Sequence, residues 1–123
     1  MITDTASTSL SESENADSSQ LVEEMKESIR RQLRLTLARH LDNATPRELW
    51  MATCLAVREK IIDRFIETQS AHNERDARRV YYLSLEYLMG RLLNSNLCNS
   101  GLIEAVSSAL GDLGLDLETL CEE

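Results

Sequence analysis

The sequence is 123 residues long, with 42% hydrophobic and 28% charged residues, which bounds it to one domain with a modest core. Its net charge of −8 is uneven: residues 1–24 hold six acids and no Lys or Arg, and the body is nearly neutral. That leaves no basic field to attract nucleic acid or an anionic membrane, no basic start and apolar run of a signal peptide, and no apolar stretch long enough to span a bilayer.

Residues 1–19 are rich in Ser, Thr, Asp and Glu, with little to bury, and read as a disordered acidic tail. From Gln20 the pattern changes. Val22, Met25, Ile29, Leu33, Leu37 and Leu41 recur at steps of three or four, which predicts one amphipathic helix ending near Asp42 and Asn43. Thr45-Pro46-Arg47-Glu48 then forms a capping-box signature, with Pro46 at the first helical position, where a missing N–H costs nothing. The helix it opens runs through Leu49, Trp50, Thr53, Val57, Ile61 and Phe65 to about Ser70. Phe65 reads as a core residue. Glu59 and Asp63 are like charges four apart, and Arg58 and Arg64 are expected to offset them.

A polar connector, 72–79, leads to Val80-Tyr81-Tyr82-Leu83-Ser84-Leu85, β-branched and aromatic at its start and apolar on both faces, the composition of a short buried strand. A lone strand leaves its backbone groups unpaired, so its partners are expected in sequence beyond this chain. Helices are predicted over Leu88–Leu97, with Gly90 weakening the first turn, and over Leu102–Leu110 between Gly101 and Gly111. A final turn starts at Asp116 as N-cap, and the chain is expected to stop in mid-helix.

The cysteines Cys54, Cys98 and Cys121 are odd in number and widely spaced, which fits reduced cytoplasmic thiols better than a disulfide framework. His40 and His72 have no partner at metal-ligand spacing, and no metal site is expected.

The run from Val80 through Glu86, Tyr87, Leu88, Met89 and Gly90 to Arg91 resembles the strand-and-turn signature near the start of glycogen and maltodextrin (α-glucan) phosphorylases. Ala44-Thr45-Pro46-Arg47, Val57-Arg58, Thr68-Gln69 and the run Gly111–Glu118 are similar to flanking family segments, so the resemblance covers about residues 24–123. It implies that residues 20–123 are the N-terminal helical segment of a phosphorylase domain, cut before the family's Gly-rich loop. The fold class is then mainly α with one short strand, the first part of a glycosyltransferase-B-like α/β fold.

The implied activity is phosphorolysis: orthophosphate attacks the terminal unit of an α-1,4-glucan and releases glucose 1-phosphate. The implied cofactor is pyridoxal phosphate on a lysine that this chain lacks, and the implied assembly is a homodimer. From residues alone, Glu86 is a strand-end glutamate facing water; the resemblance instead implies a supporting place in the wall of the active site. Leu88 falls near the cofactor, where some members have tyrosine, and cannot hydrogen-bond there. Gly90 suggests a close backbone approach or a turn of positive φ, and Arg91 either binds an anion or pairs with an acid.

Animal members bind an activating nucleotide at places that fall here on Phe65, Asn73 and His40, with only Gln69 matching and Ser70 beside it. Animal-type nucleotide control is therefore not expected, and nor is a phosphoserine switch in so acidic a tail. The fragment alone is expected to be inactive. The rival expectation is a stand-alone helical interaction or dimerisation module that performs no catalysis.

Overall fold

The computed structural model describes residues 6–86 and 90–122, with side chains from Ala16 onward. The described residues form five α-helices: α1 (Ala6–Leu35), α2 (Pro46–Glu74), α3 (Leu93–Ser100), α4 (Ile103–Asp112) and α5 (Leu117–Cys121), with a 3-10 turn at Leu41–Asn43 between the first two.

The two long helices make an antiparallel hairpin. Glu24 meets Lys60, Ser28 and Arg31 meet Glu59, and Arg39 meets Glu48, so positions rise along α1 as they fall along α2. The predicted stripe is the buried one: Met25, Ile29 and Leu33 lie in the core, with Val22, Leu37 and Leu41 packed at its margin. From α2 come Leu49, Ala52, Ala56 and Val57. The small side chains of Ala52 and Ala56, one turn apart, let the helices approach closely. Helices α3–α5 close one side of the hairpin through Leu97, Leu102, Val106, Leu110 and Leu120. Thr53 is buried among them without cost, because its hydroxyl donates to the Leu49 carbonyl at 2.9 Å.

Helix α1 starts at Ala6, not Gln20, so residues 6–19, read as a disordered tail, continue the helix, while residues 1–5 lie outside the described residues. The packed turns from Leu21 onward supply the nucleus, and each further residue adds one backbone bond to a helix already formed. The helix also stops earlier than its apolar spacing suggests. Arg39 N–H donates back to the Leu33 carbonyl at 3.0 Å, and Ala38 takes φ 53° to allow it.

The capping box at α2 is present as read: Glu48 N–H donates to Thr45 Oγ1 at 3.3 Å, and Thr45 N–H donates to Glu48 Oε2 at 2.8 Å. The later helices are shifted. The one predicted over 88–97 spans Leu93–Ser100, and Gly111 lies within α4 instead of ending it. Gly101 (φ 68°) and Gly114 (φ 75°) are the residues that turn the chain, each followed by an N–H reaching a carbonyl five residues back. Asp116 caps α5, accepting from Thr119 N–H at 2.9 Å.

The largest correction concerns Val80–Leu85. No strand occurs among the described residues, and this segment runs extended and unpaired over the surface. Val80, Tyr82 and Leu83 are 92%, 87% and 91% exposed, so the expected burial is absent too. The physical reason is the one that makes lone strands unstable: with no second strand, backbone donors and acceptors have only water to meet.

Candidate functional site

The expected site residues belong to the connector between α2 and α3. Glu86 is exposed. Its backbone N–H donates to Ser84 Oγ at 3.2 Å, and that hydroxyl donates to the Glu86 carbonyl at 2.9 Å, which makes a local turn. Leu88 lies outside the described residues.

Among the described residues, a methyl group at Gly90 would meet nothing within 4 Å. The Arg91 guanidinium reaches across to the Cys121 carbonyl at 3.5 Å, an alternative to the anion or acid expected of it.

The exposed part of α2 carries apolar side chains as well. Beyond Val57 the second helix outruns its core, and Ile61, Ile62, Phe65 and Ile66 face outward. Phe65, expected in the core, is 57% exposed. Among the described residues, the buried positions of α2 end at Val57. These side chains and those of Val80–Leu85 account for most of the large apolar groups exposed among the described residues.

Several charged groups elsewhere are engaged with one another. Glu59 accepts from the buried Ser28 hydroxyl at 2.8 Å and pairs with Arg31 across the hairpin, and these two partners, Ser28 first, hold its carboxyl below the usual range. The expected partners Arg58 and Arg64 are not used: Arg64 instead donates to the Ser100 carbonyl at 2.5 Å. The reason is geometry, since Glu59 faces α1 and Arg64 faces α3.

At the other end of the hairpin a concavity of about 440 Å³ is lined by Arg30, Arg31, Arg34, Arg39 and His40 together with Glu27 and Asp42. Its cations are largely neutralised in place: Arg30 lies 3.8 Å from Glu27, Arg31 pairs with Glu59, and Arg39 binds Glu48 at 2.8 Å. His40 is in this concavity, whereas Phe65 lies twenty residues along α2 from Thr45, roughly 30 Å at the helical rise. Asn73, near the end of α2, accepts from Arg79. Within one chain the three places linked above to nucleotide binding do not converge.

Among the described residues no group of three or more His, Cys, Asp or Glu is placed to hold a metal ion, and no helix is long and apolar enough to cross a membrane. The thiols Cys54 and Cys121 are half-buried and Cys98 is exposed; all three are free.

No protein-family model matches the chain. Among curated proteins it is 45% identical over 101 residues to the brain form of glycogen phosphorylase from Homo sapiens, an alignment covering 82% of this chain and 12% of the relative. It is 44% identical to the brain form from Bos taurus and 42% identical to the muscle form from Mus musculus, over the same shares of each chain. The chain thus spans 12% of the length of the relatives it matches.

Proposed function

We propose, from the premise that this chain is a homologue of glycogen phosphorylases over most of its length, that it supplies the helical platform and the 80–91 segment of an α-1,4-glucan phosphorylase. The reaction is phosphorolysis of the glucan by orthophosphate to give glucose 1-phosphate. The observation that carries this reading is the 45% identity over 101 residues, joined to an apolar surface that the described residues leave uncovered.

In the longer enzyme Val80–Leu85 pairs with strands outside this chain, and the exposed end of α2 is covered. Residues that here face water, Glu86 among them, then become part of a wall. A carboxylate drawn into such a wall requires hydrogen-bond partners, which the hydroxyls of a sugar provide.

Pyridoxal phosphate, the cofactor implied by the family resemblance, needs a lysine amine free to condense with its aldehyde. The lysines here are Lys26 and Lys60. Lys26 bridges Glu23 at 2.5 Å and Asp112 at 3.0 Å, and those partners hold its amine above the usual range, in the protonated, unreactive form. Lys60 binds Glu24 at 2.7 Å. Neither residue fits the cofactor, and no step of the reaction is assigned to them.

The second reading, a helical interaction module, draws on the same exposed apolar residues. The two separate in one experiment. The human brain form is prepared with its matching 101-residue segment replaced by that of this chain. Orthophosphate-dependent release of glucose 1-phosphate from glycogen is expected of that hybrid. A folded hybrid without activity would favour the interaction module.

A further inference from the structure

Helix α5 is five residues long, and of these only Leu120 is buried, inserted into the core that α2 lines with Leu49, Ala52 and Ala56. The next residue, Cys121, lines a cavity of about 200 Å³ together with Trp50 of α2. Cys54 follows Trp50 by four positions, one turn farther along the same face of α2. Both thiols are half-buried, and the two helices that carry them are packed against each other.

We propose that Cys54 and Cys121 are a modification site, closing to a reversible disulfide that ties α5 to α2. Electrostatics agrees with the placement. Burial, and then the charge of Cys121, pushes the Cys54 thiol up to about 11. Burial, and then Asp116, pushes the Cys121 thiol up as well. Such thiols are protonated at neutral pH and react slowly, which suits a staple formed under sustained oxidation rather than a catalytic nucleophile. Cys98, on the outer side of α3, is the internal control.

The oxidant is a small-molecule disulfide. The thiolate of Cys121, the shallower of the two, attacks one sulfur of glutathione disulfide and expels one glutathione thiolate. The Cys54 thiolate then attacks Sγ of Cys121 in the mixed disulfide and expels the second glutathione. Two protein thiols lose two protons and two electrons, and one glutathione disulfide becomes two glutathiones.

The test uses the whole chain. It is incubated with glutathione disulfide, its remaining thiols are alkylated, and the monomer fraction is digested with a glutamate-specific protease, which separates Cys98 from Cys121 at Glu104 and Glu118. Mass spectrometry is expected to find the peptides of Cys54 and Cys121 joined, released by dithiothreitol and still joined in Cys98→Ser. The joined peptide is expected to vanish in Cys121→Ser, a change at a half-buried position outside the buried core cluster. The oxidised chain is expected to melt at a higher temperature than the reduced chain. Separate glutathione adducts on Cys54 and Cys121 in the folded monomer, or a cross-link through Cys98, would overturn the assignment.

Discussion

Glu48 is held by three interactions at the start of α2: the Thr45 backbone N–H, the Arg39 guanidinium and the Thr45 hydroxyl. Together they lower its carboxyl from 4.5 to about 2. A group whose pKa falls on folding stabilises the native state while it is ionised. The contribution is complete above about 4.5 and is lost as pH falls towards about 2. Replacing the cap, Thr45→Ala, is expected to cost about 1 kcal/mol in urea unfolding at neutral pH. The gap between Thr45→Ala and the parent is expected to shrink as pH is lowered through that window. A gap that stays constant would detach Glu48 from the cap.

Glu86 shows the limit of reading at this scale. The residues alone place it at a water-facing position, and the structure finds it exposed; the active-site role rests on family resemblance and on chain that would surround it. In the hybrid enzyme, Glu86→Gln is expected to reduce glucose 1-phosphate release by at least tenfold, about 1.4 kcal/mol of transition-state stabilisation. Unchanged release would remove Glu86 from the site.

Among the elements, α2 was legible from its first residues because Thr45, Pro46 and Glu48 each favour the same backbone for a separate reason. The buried stripe of α1 was legible as well. Its end was not: the left-handed position that closes it is filled by Ala38, not by glycine, at a local cost of about 1–2 kcal/mol. Gly111 misled in the opposite sense, since Gly114 makes the turn and Gly111 continues the helix.

The segment Val80–Leu85 has strand composition and no strand, because composition records what a residue does beside a partner, not whether the partner is there. An unpaired apolar edge invites pairing with another copy. Sedimentation of the isolated chain is expected to show association that grows with concentration, and Leu83→Lys is expected to suppress it. Equal association by both proteins would place the sticky surface elsewhere, with the end of α2 the next candidate.

At the scale of the whole molecule, the described chain is a helical hairpin capped on one side, with its buried polar side chains hydrogen-bonded and its apolar excess gathered at one end of α2 and in the connector that follows. The identity to glycogen phosphorylases extends over both the well-packed hairpin and the uncovered region, across 82% of the chain. A surface of that kind is what a piece of a larger fold presents when its neighbours are elsewhere. Glucose 1-phosphate release by the hybrid brain-form enzyme tests this directly. Release within about tenfold of the parent, a loss below about 1.4 kcal/mol, is the predicted result. A hybrid that folds and dimerises like the parent but releases no glucose 1-phosphate would contradict it.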